Sequence, residues 1–225
     1  HNHYDHLDKG TVRQLAEKVA YFVVPLGVGA HLREWGVAED AIVEMDWWEE
    51  LEIGDLRLAA TPAQHFSGRS LNDRNKTLWA SWVIQGDGAN LFFSGDTGYF
   101  DGFKEIGERY GPFDVTMIEN GAYNEAWRSM HMMPEESVQA HIDLRGRAML
   151  PIHNSTFDLS IHAWYEPLDR VSALATERGV QLLTPVIGAP VQVLMPQPTY
   201  AWWRGVEGEM VADGAVLEGA CEEAC

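Results

Sequence analysis

The first six residues constrain this chain more than any other feature. They read H-N-H-Y-D-H and place four potential metal ligands in one short segment. In an extended segment, side chains two positions apart project to the same side, so His1 and His3 can bind one ion while Asp5 and His6 reach a second. Imidazole together with carboxylate suits zinc, iron or manganese better than calcium or magnesium. The segment therefore predicts a site for two divalent metal ions, with zinc favoured and manganese or iron as alternatives.

Composition narrows the class of protein around this site. A chain of 225 residues with 46% hydrophobic residues can bury one substantial core. Its longest mostly apolar run, residues 19–30, is too short to span a bilayer. The net charge of −18 repels polyanions and argues against a nucleic-acid partner. We therefore expect a globular protein without a transmembrane segment, located in the cytoplasm and of undetermined oligomeric state.

Hydrophobic periodicity predicts strands early in the chain and alternating helices and strands from residue 99 onward, which is typical of an α/β layered domain. The predicted helices are 10–21, 29–35, 100–110, 134–144 and 163–178. The predicted strands include a hairpin at 77–85 and 90–94, followed by 113–118, 147–152 and 191–194. We expect one domain over residues 1–195 and an acidic tail over residues 196–225 that is weakly packed apart from Trp202 and Trp203. The tail contains the only cysteines, Cys221 and Cys225.

Four later segments are notable beside the opening motif: PAQHFSGRSLNDRNKTLW at 62–79, SGDTGYF at 94–100, PEESVQAH at 134–141 and PIHNSTF at 151–157. With these segments the chain resembles the metallo-β-lactamase superfamily. Within it, the chain is most similar to the branch of N-acyl-phosphatidylethanolamine-hydrolysing phospholipase D and its bacterial relatives. The resemblance implies an αββα sandwich. Because the motif begins at residue 1, it also implies that much of the amino-terminal sheet of that fold is missing from this chain.

The resemblance also assigns each ligand to one of two ions. It implies that His65 completes the first metal site with His1 and His3. Asp96 would bridge both ions, and His153 would complete the second site with Asp5 and His6. The loops that carry His65, Asp96 and His153 each follow a predicted strand, where loops collect into a site.

Other polar residues near these segments are candidates for substrate contact or for structural roles. The resemblance implies that His131 faces the site, where it could bind substrate or protonate a leaving group. Arg69 could hold a substrate phosphate or could pair with Asp73 and pin its loop. Tyr123 is a candidate substrate contact, but packing or solvent exposure is favoured both for it and for the nearby Glu119. His141 is expected on the solvated face of its helix.

These expectations combine into a reaction. Two divalent ions can activate a shared water, and a hydroxide held between them could attack the phosphorus of a phosphodiester. Asp5, Asp96 and His131 are then the expected catalytic residues, and the substrate would be a small-molecule or lipid phosphodiester. A lactonase or other carbonyl-directed hydrolase, an iron-dependent redox protein and a non-catalytic metal-binding module remain alternatives.

Overall fold

A computed structural model describes residues 1–156, 160–197 and 199–209, and its first part is a small unit built around two parallel strands. The elements of this unit are α1 (Lys9–Leu15), β1 (Phe22–Pro25), α2 (Gly29–Glu34) and β2 (Ile42–Met45). Val12, Val24, Leu32 and Trp35 form its apolar core. The side chain of Asp8 accepts a hydrogen bond from the Thr11 amide and so caps α1.

A seven-stranded sheet forms the centre of the molecule. Its strands lie side by side in chain order: β3 (Glu50–Ile53), β4 (Leu56–Thr61), β5 (Ser81–Gly86), β6 (Ala89–Phe93), β7 (Phe113–Glu119), β8 (Gly146–Ile152) and β9 (Gln181–Leu182). The strands from β3 to β6 are antiparallel, whereas those from β6 to β9 are parallel. Parallel neighbours need crossover connections, and helices supply them here.

Those connections are α3 (Gly102–Tyr110), α4 (Pro134–Asp143) and α5 (Glu166–Arg178), and a last helix, α6 (Trp202–Glu209), follows the sheet. The central core between helices and sheet includes Phe92, Phe103, Phe113, Leu144 and Met149, all with at most 1% of their surface exposed. The predicted α/β class is confirmed. No helix in the described part of the chain is long and apolar enough to cross a membrane.

Two local predictions differ from the structure. The predicted helix 10–21 ends at Leu15: Val12 is its only buried residue, and Ala16 just beyond it is partly buried against the core of the small unit. Residues 191–194 form no strand, since the guanidinium of Arg147 takes the carbonyl oxygens of Val193 and Leu194. Within the predicted tail, Trp203, one of the two tryptophans excepted from weak packing, is buried and its indole donates to Asp169. The rest of that tail, residues 210–225, lies outside the described residues.

The sheet determines where the loops meet. Strands β4, β6, β7 and β8 run in the same direction and end at the same edge of the sheet. Loops that follow the carboxyl ends of such strands are the usual place for a site in open α/β sheets. His65, Asp96 and His153 lie in these loops, and Glu119 is the last residue of β7.

Candidate metal centre

Three imidazoles converge to form the first group of potential ligands. His1, His3 and His65 each offer a nitrogen, and the three nitrogens lie within 4.8 Å of one another. Nε2 of His1 is 2.7 Å from Nδ1 of His3. Nδ1 of His65 is 3.1 Å from the carbonyl oxygen of Met130, a contact that leaves its Nε2 directed to the group. The segment around His1 and His3 is therefore held next to the loop after β4.

A second group adjoins the first and contains both carboxylates. Asp5, His6, Asp96 and His153 offer ligand atoms within 4.8 Å of one another. Oδ2 of Asp96 lies 3.0 Å from Nε2 of His6, 3.8 Å from Nε2 of His1 and 3.9 Å from Nε2 of His65. Its Oδ1 lies 3.5 Å from Nε2 of His153. Asp96 thus stands between the two groups, the place that a bridging ligand would occupy.

Several atoms in these groups are buried without a hydrogen-bond partner. They include Nε2 of His65 and Oδ1 of Asp96. Burying an unsatisfied polar atom costs about 1–3 kcal/mol, so such atoms are rare unless they have another ligand. Imidazole nitrogens and carboxylate oxygens are the donors that zinc, iron and manganese bind. The donor set and its unpaired atoms therefore fit divalent metal ions.

The backbone at His153, one of the candidate ligands of the second group, is strained. His153 directly follows β8 and has a left-handed φ of 61°, a conformation that costs a non-glycine residue free energy and is concentrated at functional sites. A Cβ on Gly121 would lie 1.9 Å from the carbonyl oxygen of His153. Only glycine fits at position 121, and the close approach holds His153 against the end of β7.

A buried carboxylate behind the cluster holds His131. Glu119 is fully buried, and its Oε1 accepts a hydrogen bond of 2.5 Å from the amide of Met132, while its Oε2 lies 3.1 Å from Nδ1 of His131. The ring of His131 stacks on that of His153, with centroids 5.6 Å apart and planes at 8°. This pair was not singled out from sequence, where packing or exposure was favoured for Glu119. A glutamate directly after the apolar pair Met117-Ile118 at the end of a buried strand was the available signal.

Burial and charge set the protonation of these groups. Burial lowers the pKa of His65 to about 3, so its imidazole is neutral at pH 7, the form that binds metal. Burial works to raise the pKa of Asp96, but the hydrogen bond from His6 and the charge of His153 outweigh it and keep that pKa well below its usual range. Burial raises the pKa of Glu119 to about 7. His131 has a raised pKa because the hydrogen bond and charge of Glu119 outweigh burial.

Three sequence predictions need correction or a new role. The sequence leaves Arg69 open between a substrate contact and a loop-pinning pair with Asp73. Its guanidinium donates to main-chain carbonyl oxygens of the opening segment, while Asp73 accepts from its backbone amide. Tyr123 is buried, and its hydroxyl donates to Glu166 instead of facing the cluster. The expectation of a solvated His141 is wrong: the side chain lies beneath α4 and its Nδ1 is 2.7 Å from the hydroxyl oxygen of Thr116.

Two open cavities meet at the cluster. One lobe, of about 180 Å³, is lined by Asn154, Ser155, Thr156, His162 and Trp164 beside the second ligand group. The other, the apolar lobe, of about 260 Å³, is lined by Phe66, Trp127, Met130 and His131 beside the first group. Asp5, Ala122 and His153 line both lobes. A molecule lying across the cluster would therefore extend into a cavity on each side.

Comparison with known proteins identifies the family. The family described as "Beta-lactamase superfamily domain" matches residues 1–154. An uncharacterized protein of Mycobacterium tuberculosis (strain H37Rv) is 49% identical over 208 residues, which are 91% of this chain and 56% of that protein. N-acyl-phosphatidylethanolamine-hydrolyzing phospholipase D 1 of Caenorhabditis elegans is 35% identical over 192 residues, covering 79% of this chain and 54% of that protein. The chain spans about half the length of these curated relatives.

A solved structure supports the same assignment at the level of the fold. Igni18, a metallo hydrolase from Ignicoccus hospitalis, superposes with a TM-score of 0.65 at 22% identity, covering 84% of this chain and 75% of that one. The resemblance noted from sequence is confirmed. The chain belongs to the β-lactamase superfamily and has the metallo-β-lactamase fold of its metal-dependent hydrolases.

Proposed function

We propose that this protein is a binuclear metal-dependent hydrolase that cleaves phosphodiesters. The observation that carries the proposal is the pair of adjoining ligand groups at the junction of two cavities. His1, His3 and His65 would hold one ion, and Asp5, His6 and His153 the other, with Asp96 shared. Two bound divalent ions would supply an activated water and positive charge for the phosphoryl oxygens.

The two lobes favour a diester. A phosphodiester has a substituent on each side of phosphorus, and the cluster has a cavity on each side. Among the described residues, neither lobe is lined by lysine or arginine. The second negative charge of a phosphomonoester would therefore have no lysine or arginine to pair with, whereas a diester has only one charge. The name of the Caenorhabditis relative, a phospholipase D, supports the same reaction class.

The lining of each lobe suggests how the substituents bind. Phe66, Trp127 and Met130 offer an apolar surface to one substituent. The stretch Asn154–Thr156 offers hydroxyl and amide groups to the other. The substrate we propose is thus a small-molecule or lipid phosphodiester with one apolar substituent.

His131 is placed to act on the leaving group. It lines the apolar lobe, and its Nδ1 lies against Glu119, so Nε2 is the nitrogen that can meet a substrate oxygen. A protonated imidazole there would donate to the oxygen that leaves phosphorus as the bond breaks. Glu119 stabilises that protonated form, because its charge lies 3.1 Å away.

The test uses the purified chain loaded separately with zinc, manganese and iron. Bis-p-nitrophenyl phosphate, p-nitrophenyl phosphate and a panel of lactones are assayed with the metal-loaded protein and with protein treated with chelator, and bound metal is counted by elemental analysis. We expect two ions per chain, turnover of the diester, little turnover of the monoester and no activity after chelation. Turnover of lactones alone would instead identify a carbonyl-directed hydrolase. A loaded protein inactive on every substrate would fit a binding module.

A further inference from the structure

We infer that Arg69 is a positioning residue that holds the opening loop, residues 1–7, in its metal-binding conformation. The inference rests on the proposed metal centre, because the loop supplies His1, His3, Asp5 and His6 to it. Arg69 lies outside the ligand set, in the segment that follows His65. Its side chain acts on the main chain of the loop instead of on a metal or a substrate.

The guanidinium spans the loop from one end to the other. Nη1 of Arg69 lies 2.8 Å from the carbonyl oxygen of Asn2 and 2.7 Å from that of Leu7, with the carbonyl oxygen of His3 at 3.5 Å. A turn whose two ends share one donor cannot open without losing both bonds. The residues between them, including three candidate ligands, are therefore fixed relative to one another. Hydrogen bonds from a charged donor are stronger than neutral ones and so help to order a loop that has no strand partner.

Aromatic rings hold the guanidinium itself in place. Its carbon lies 3.9 Å from the centroid of the Tyr4 ring and 5.2 Å from that of Trp35. The hydroxyl of Tyr4 donates back to the carbonyl oxygen of Arg69. Trp35 belongs to the core of the small amino-terminal unit. The guanidinium thus lies where that unit, the opening loop and the loop after His65 meet.

A second connection joins the same two loops. Asn2 is buried, and its Oδ1 accepts a hydrogen bond of 2.7 Å from the amide of Gly68, directly before Arg69. Its amide nitrogen lies 3.2 Å from Nε2 of His31 on α2. The position of the Arg69 side chain is accounted for by its contacts within the protein, without a bound substrate anion. Among the described residues, no carboxylate lies within ion-pair distance of its guanidinium, so the carbonyl oxygens and rings are its partners.

The experiment compares Arg69→Met and Arg69→Lys with Arg74→Met in the full chain. Arg74 is a matched control, because it is an arginine of the same segment whose guanidinium lies over Phe66 instead of against the opening loop. The readouts are zinc affinity and stoichiometry, the visible spectrum of the cobalt-loaded protein, and the thermal midpoint of each variant. Losing a residue that orients ligands lowers metal affinity by about 10–100-fold. We expect such a loss and an altered cobalt spectrum for Arg69→Met, a smaller loss for Arg69→Lys, and wild-type values for Arg74→Met.

The outcomes separate this inference from the proposed centre. Wild-type affinity and an unchanged cobalt spectrum in Arg69→Met would overturn the role of Arg69 while leaving the metal centre in place. Absence of metal binding by the wild-type protein would overturn both. If Arg69→Met does not fold, as judged by its circular dichroism, Arg69→Lys decides. A wild-type spectrum in a folded Arg69→Lys would overturn the inference, and a selective loss of metal would support it.

Discussion

Two regions of this molecule contain buried histidine side chains, and they differ in whether the buried polar atoms there have hydrogen-bond partners. At the edge of the sheet, Nε2 of His65 and Oδ1 of Asp96 are buried without a hydrogen-bond partner. Beneath α4, the equally buried His141 forms a hydrogen bond with Thr116, and Gly146 leaves room for its ring. Since an unsatisfied buried atom is costly, the first pattern indicates a ligand to be supplied and the second indicates structure.

The two regions also differ in how the chain holds them. His141 belongs to a helix packed on two strands, so regular structure fixes its place. The site instead depends on loops, on a strained residue at His153 and on the close contact of Gly121 with it. Substitutions should therefore affect metal binding and activity at the edge of the sheet and folding stability beneath α4.

The largest effect should follow from removing the carboxylate shared by both ligand groups. Asp96→Ala takes away a carboxylate that lies within 4 Å of ligand nitrogens in both groups. We expect stoichiometric metal binding to be lost and diester turnover to fall by more than about a thousandfold, since both the ions and their charge stabilisation are lost. Elemental analysis and steady-state kinetics measure the two losses.

Asp101→Asn is the control for this prediction, because Asp101 is an exposed carboxylate five residues further along the chain. It should keep wild-type metal content and turnover. Activity that survives in Asp96→Ala at the wild-type level would contradict the shared position of Asp96 and the proposed function with it.

A smaller effect should follow from altering the carboxylate behind His131. Glu119 accepts from the Met132 amide with one oxygen and lies against Nδ1 of His131 with the other. Glutamine has one acceptor oxygen and no charge, so Glu119→Gln cannot accept from both the Met132 amide and His131 and cannot stabilise a protonated His131. We expect kcat to fall about 10–100-fold with KM and metal content nearly unchanged, the typical cost of losing a residue that orients another.

Glu135→Gln provides the matched comparison, since Glu135 lies on α4 and pairs with Arg170 away from the cluster. It should leave kcat unchanged. A loss of one metal ion in Glu119→Gln would show that Glu119 is itself a ligand, as its place in a third group with Asp96, His131 and His153 allows. The role of holding His131 would then be wrong.

The ligand residues could be predicted from sequence because their spacing is local and dense. The motif at residues 1–6 predicts a metal site by itself, and the later segments carry the rest by resemblance. The structure places all of these side chains in two groups. Strand and helix periodicity also gave the α/β class, since α3, α4 and β7 have apolar faces that match their burial.

Contacts between distant segments were the part that the sequence did not reveal. The pattern of α4 suggested a solvated face for His141, but α5 and the sheet both pack on this helix and bury it. Arg69 stands more than 60 residues from the carbonyl oxygens that it contacts. Glu119 becomes recognisable only when the loop with His131 folds over the end of β7. Tertiary packing, which local periodicity does not encode, decides all three.

The last prediction concerns folding stability instead of turnover and belongs to His141. Burial lowers the pKa of His141 to about 4, against about 6.5 in an unfolded chain. Between these values the unfolded state binds the proton and the folded state does not, so stability falls as pH drops from about 6.5 to about 4. Integrated over that window, the loss in the free energy of unfolding is about 3 kcal/mol.

Urea unfolding of metal-free protein at pH 7.5, 6 and 5, compared with that of His141→Gln, isolates the contribution of His141. The variant should be less stable at pH 7.5 but should lose less stability on acidification, because glutamine can bond Thr116 without titrating. Parallel declines in the two proteins would contradict a neutral, buried His141.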